Sequence, residues 1–168
     1  MKRLLMLVIL SIITWNSFSQ ERTVDIYNKL NVAVYIANQL KSSDYLIYSI
    51  GNDYMVINKL ENEYNVFYLS ETLNTKTQLI EYKINRHLTI DKSALLDKLF
   101  KKGLCKDKIT EKAGERYLFF CLTLNSFTEC KFLLPTFYYE SGFKDVQLPI
   151  DKNLYLYLEE LFRKNSVE

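Results

Sequence analysis

Residues 45–85 hold four short apolar runs, 45–50, 54–60, 64–70 and 78–85, parted by turn-forming residues, and this regularity restricts the fold more than any other stretch does. It predicts a β-meander. Gly51-Asn52 supplies a Gly-first two-residue loop whose backbone twist matches that of the flanking strands. Glu61-Asn62-Glu63 makes a second, three-residue break. In 78–85 the alternation is clean, with Ile80, Tyr82 and Ile84 on one side and Glu81, Lys83 and Asn85 on the other.

With those two turn lengths the first three strands sort into two faces. Leu46, Tyr48, Ile50, Met55, Ile57, Phe67 and Leu69 share one and read as core. Tyr45, Ile47, Ser49, Tyr54, Val56, Asn58, Tyr64, Val66 and Tyr68 share the other. This second face mixes tyrosine with aliphatic and small polar side chains, a surface suited to a protein partner, because tyrosine brings large contact area at low entropy loss. Its candidate binding residues are Tyr45, Tyr54, Tyr64 and Tyr68. The competing explanation is that a helix, with 22–40 as the candidate, covers the face and each phenol reaches water at the rim; Ile47, Val56 and Val66 favour it, since they need burial. A slip of one residue in register would exchange the faces.

Residues 1–19 read as a secretory signal peptide. Lys2-Arg3 is a basic start, 4–13 is a ten-residue apolar run, and Ser17-Phe18-Ser19 offers small residues for cleavage before Gln20. The run is shorter than the roughly 20 residues that span a bilayer. No cysteine lies near the cut, which closes the bacterial lipoprotein route. The expectation is an exported chain, periplasmic or extracellular, with residues 20–168 as a single domain and no stable membrane insertion.

Losing that segment alters the charge balance. Of 22 Lys+Arg, 20 remain against 20 Asp+Glu, and no basic run exceeds two residues. A nucleic acid or an anionic membrane would call for a basic patch, so neither is an expected partner.

All three cysteines, Cys105, Cys121 and Cys130, fall in 20–168. Cys121 and Cys130 lie on apolar runs that look like hairpin partners, which makes a cross-strand disulfide reasonable and leaves Cys105 buried or intermolecular. Three reduced, buried thiols acting as small hydrophobes are the alternative. The spacing contains no C-x-x-C and the chain has one histidine, so no cysteine metal site and no cofactor are expected.

Helical patterning appears three times. In 22–40, Ile26, Leu30, Ala33, Ala37 and Leu40 recur at three- and four-residue steps. In 91–102, Asp91 is placed as N-cap, Ile90 and Leu95 as a hydrophobic staple, and Gly103 as the stop. From Asp151 to about 164 the same signals recur, with Ile150 and Tyr155 as the staple. Between these helices, 116–124 is apolar on both faces, which predicts a central strand. Residues 125–129 read as a turn, 130–134 as a returning strand ended by Pro135, and 144–148 as a short edge strand. The predicted fold class is α+β: a mainly antiparallel sheet, a four-strand meander plus two or three further strands, packed against three helices.

For chemistry, His87 as the only histidine removes every mechanism that needs two. A His87–cysteine pair with Cys105 or Cys121 remains formally open. Glu61/Glu63 and Glu159/Glu160 are accounted for as solvated charge. Phosphate loops, nucleophile elbows and calcium loops are absent. The expected function is therefore an exported, non-catalytic binding protein, of inhibitor or immunity type, contacting another protein through the tyrosine-rich face. The alternative is a small exported hydrolase-like enzyme using scattered carboxylates or the His87–cysteine pair.

Overall fold

In a computed structural model of the protein, residues 32, 35, 42–77, 79–105, 117–135 and 149–165 are described. The chain divides into two units, Met1–Asn38 and Gln39–Glu168. In the first unit Val32 and Tyr35 are helical, and the rest of the expected helix 22–40 lies outside the described residues, as does the leader 1–19. The expected edge strand 144–148 also lies outside them.

The second unit is built on six strands: β1 (Tyr45–Ile50), β2 (Asp53–Lys59), β3 (Glu63–Asn74), β4 (Leu79–Asp91), β5 (Tyr117–Leu124) and β6 (Phe127–Pro135). They form one antiparallel sheet in the order β4-β3-β2-β1-β5-β6. The meander β1 to β4 is present, and β5 takes an interior position beside β1, as its two-sided apolar sequence predicts. Two helices are found among the described residues of this unit, α1 (Ala94–Leu99) and α2 (Lys152–Asn165), against three expected for the whole chain.

Turn chemistry fixes the hairpins. Ile50 pairs with Asp53 across Gly51-Asn52, and Gly51 takes a φ of 60°, which a side chain would strain. Asn125 and Ser126, at φ 50° and 65°, make a two-residue turn of the kind with both central residues left-handed, so this turn is shorter than expected and β6 starts at Phe127. Asp44 ties this end of the sheet together: its carboxylate accepts from Asn125 N–H at 2.7 Å and its carbonyl from Lys59 N–H at 3.1 Å.

The second turn corrects the expected faces. Leu60 N–H donates to the Glu63 carbonyl at 2.9 Å, closing a two-residue turn at Glu61-Asn62 in place of the expected three. One residue less in the loop moves β3 by one place. Val66 therefore stands opposite Ile57 and Tyr68 opposite Met55, while Phe67 faces Val56 and Leu69 faces Tyr54. Both sets are buried, so the apolar pattern of β3 alone could not choose between them.

One face of the sheet carries the helices. Leu46, Tyr48, Met55, Ile57, Tyr64, Val66, Tyr68, Leu118, Phe120, Leu122 and Phe132 form one core with Leu96, Leu99 and Phe100 from α1 and its end, and Leu154, Tyr155, Leu158 and Phe162 of α2. Each fully buried Leu or Phe contributes roughly 1.5–3 kcal/mol. In α2 the buried residues follow helical spacing, while Glu159–Arg163 (2.8 Å) and Glu160–Lys164 (2.5 Å) pair along the outer surface.

The helix starts differ in how well they were predicted. Asp151 caps α2 as expected, accepting from Asn153 N–H at 2.9 Å and Leu154 N–H at 3.3 Å. Asp91 does not cap α1. It pairs with Glu63 at the end of a β4 longer than 78–85, and Ser93 caps instead, accepting from Leu96 N–H at 3.2 Å. Strand pairing outcompetes a local capping signal here, and α1 stops at Leu99, well before Gly103.

Candidate functional site

The four tyrosines singled out by the sequence do not meet on one surface. Tyr64 and Tyr68 stand on the helix-covered face, and Tyr45 and Tyr54 on the opposite one. Tyr54, Tyr64 and Tyr68 are buried and Tyr45 is half-buried. Each buried phenol has a hydroxyl partner: Tyr64 donates to Asp97 Oδ1 at 2.6 Å, Tyr68 to the Leu161 carbonyl at 3.0 Å and Tyr54 to Glu71 Oε2 at 2.5 Å. Burial pushes the Tyr68 hydroxyl up to about 12 from an ordinary 10.0, and burial followed by the neighbouring Asp97 raises Tyr64 further. These contacts bind strand to helix and strand to strand, which is the work of a core tyrosine.

The cysteines likewise pair otherwise than expected. Cys105 is bonded to Cys130, with Cα atoms 5.7 Å apart, and Cys121 is a buried free thiol. The reason is pleat. Cys130 stands opposite Leu122 and so faces the helices, whereas Cys121 stands opposite Lys131 and Ile47 on the other side of the sheet. Adjacent strands brought the two cysteines near in sequence register and alternation turned their side chains apart.

The same register separates the formal catalytic pair. His87, Phe67, Val56, Ile47 and Cys121 lie in one row across β4, β3, β2, β1 and β5. Four interstrand steps put His87 about 19 Å from Cys121. Cys105 is held in the disulfide. His87 instead stacks flat on Phe67, ring centroids 4.4 Å apart, with Nε2 3.0 Å from Asn65 Oδ1, which also accepts from Thr89 Oγ1. Glu159 and Glu160 are taken up by their ion pairs on α2. Among the described residues, no group of three or more His, Cys, Asp or Glu is placed to hold a metal ion, and no helix is long and apolar enough to cross a membrane.

The surface that does stand out was not singled out as a site by the sequence. β3 and β4 run 12 and 13 residues, while β2, beside β3, has seven. β2 pairing ends at Ser70 and a last bond runs from Glu71 N–H to the Asn52 carbonyl at 3.0 Å, so 72–74 and 79–81 continue as a two-stranded hairpin past the rest of the sheet. One face of this hairpin carries Leu73 opposite Ile80, Glu71 opposite Tyr82 and Leu69 opposite Ile84. Leu73, Ile80 and Ile84 are 59%, 36% and 42% exposed. At the root, Tyr82 meets Tyr54 edge-on at 6.0 Å, and burial followed by the charge of Glu71 pushes the Tyr82 hydroxyl up to about 12. The clean alternation of 80–84 was visible in the sequence; that it runs along the outer edge of the sheet was not.

On the same face, further along the strands, Thr128, Thr123, Tyr45, Asn58, Asn65 and Thr89 form a polar row across all six strands. Asn58 is buried there, and its Oδ1 has no hydrogen-bond partner among the described residues. Comparisons with protein-family models, with curated proteins and with solved structures find no match to this chain.

Proposed function

We propose that the protein is an exported, non-catalytic binding protein of inhibitor or immunity type, and that it contacts a protein partner through the β3–β4 hairpin. The observation that carries this reading is the exposed apolar face formed by Leu73, Ile80 and Ile84 on a hairpin that extends past the sheet. Exposed aliphatic side chains gathered on one edge hairpin, with Tyr82 among them, have the chemistry of an interaction surface. The pattern of residues 1–19 and the Cys105–Cys130 disulfide both support export to an oxidising compartment. Of the tyrosines expected to form the contact, Tyr54, Tyr64 and Tyr68 are buried, and the contact moves to the edge of the same sheet.

The test is capture of partners from the exported fraction by the protein and by its Ile80→Lys/Ile84→Lys variant, with bound proteins identified by mass spectrometry. The reading expects a defined protein held by the wild type and lost by the variant. Identical capture by both would remove the hairpin from consideration.

A further inference from the structure

We infer that the β4 edge is occupied by a second copy of this chain, paired antiparallel across a two-fold axis at Tyr82. This rests on the hairpin being a protein-binding surface and names what fills it. β4 ends the sheet order, so its outer side has no neighbouring strand among the described residues. Edge strands of this kind are normally guarded by charges that repel another strand. Here the charges are of both signs and arranged about one residue.

The run Ile80-Glu81-Tyr82-Lys83-Ile84 is self-complementary when reversed. With Tyr82 opposite Tyr82 of the second copy, Ile80 stands opposite Ile84 and Ile84 opposite Ile80, all on the face that also carries Leu73. On the other face Glu81 stands opposite Lys83, and Lys83 opposite Glu81. Every directly opposed pair is then apolar with apolar, aromatic with aromatic or acid with base, the combinations that stabilise cross-strand neighbours. A two-fold axis requires this kind of self-complementarity of an isologous contact. Other registers lose it: sliding one copy by two residues sets Lys83 opposite Lys83 or Glu81 opposite Glu81.

The matched segment has natural limits. On one side the turn at 75–77 ends the hairpin, and on the other the irregularity between Tyr68 and Leu69 leaves Asn85 out of the β3–β4 pairing. Five residues per copy make a small interface, so the association is weak, with a dissociation constant on the order of 100 µM.

Sedimentation velocity over a concentration series reaching about 1 mM tests this, a range that brackets such affinities. The wild type shifts from monomer to dimer. Glu81→Lys alone sets Lys opposite Lys83, and Lys83→Glu alone sets Glu opposite Glu81, so self-affinity of each single variant is weakened roughly tenfold or more and its monomer–dimer shift moves to at least that much higher concentration. Mixing the two variants restores opposite charges at both positions, and the mixture dimerises. Because rescue by mixing requires both chains to be folded, a variant that merely misfolds cannot produce it. A wild type that is monomeric throughout, or a dimer indifferent to both substitutions, overturns the inference. Loss of a captured foreign protein in Ile80→Lys/Ile84→Lys, with no self-association in the wild type, keeps the hairpin as a binding surface but assigns it to another partner.

Discussion

Tyr82 on β4 meets Tyr54 on β2 edge-to-face across the intervening β3, ring centroids 6.0 Å apart at an interplanar angle of 89°. This contact joins the projecting hairpin to the body of the sheet. Edge-to-face pairs contribute about 0.5–1.5 kcal/mol beyond the area they bury. Tyr82→Ala is therefore expected to lower stability by about 1–2 kcal/mol, and the loss is local. Hydrogen exchange checks it: amides of 71–74 and 79–83 lose protection while those of β1 and β5 keep theirs.

Exposed positions on the hairpin tolerate charge. Ile80 and Ile84 are more than a third open to solvent, so Ile80→Lys and Ile84→Lys should each shift stability by no more than about 0.5 kcal/mol. Val66→Lys, by contrast, places an ammonium in a fully buried position facing the helices and should abolish folding. Thermal unfolding of the three variants separates the outcomes, and a large loss in Ile84→Lys would show that its side chain belongs to the fold.

Cysteine chemistry gives a direct check of the pairing. Peptide mapping without reductant should recover Cys105 joined to Cys130, with Cys121 alone. The bond closes a separation of 25 residues, for which chain entropy gives about 3.5 kcal/mol of stabilisation. Cys105→Ala/Cys130→Ala should lose roughly that amount. Cys121, buried and with its thiol pushed up by that burial, should react with alkylating reagents only when the protein unfolds.

Alkaline pH should unfold the domain through its tyrosines. Burial raises Tyr68 and Tyr82 to about 12, above the ordinary 10.0, because the folded state disfavours the phenolate. The neutral form is thus held more tightly in the folded protein than in the unfolded chain. The stability this confers is complete below pH 10 and is lost as pH rises from 10 through 12. Tyrosinate absorbance and circular dichroism followed together should show exposed phenols ionising near pH 10, then a second step coincident with unfolding. Ionisation of every tyrosine in one step near pH 10 with the fold intact would contradict the burial of Tyr54, Tyr64 and Tyr68.

The features legible along the chain alone were local. Gly51-Asn52 set the first hairpin, Asp151 started the last helix, the two-sided apolar run around Phe120 called for an interior strand, and 80–84 alternated as an amphipathic strand does. In each case the deciding interaction spans a few residues, so the residues that carry it are adjacent in the chain. Choices that depend on distant segments meeting were settled only in the folded chain. β3 is apolar on both faces, so the energetic difference between its two registers lay in the turn at Glu61-Asn62 and in which neighbours met Phe67 and Val66. Asp91 was the expected cap of the helix that follows β4, and its pairing with Glu63, 28 positions before it, left the cap to Ser93. Cys121 and Cys130 shared a hairpin, yet the pleat sent them to opposite faces and brought Cys105 to Cys130. The placement of β4 at the open edge followed from β1 pairing with β5, a contact about seventy residues apart along the chain, and no pattern within residues 80–84 could have disclosed it.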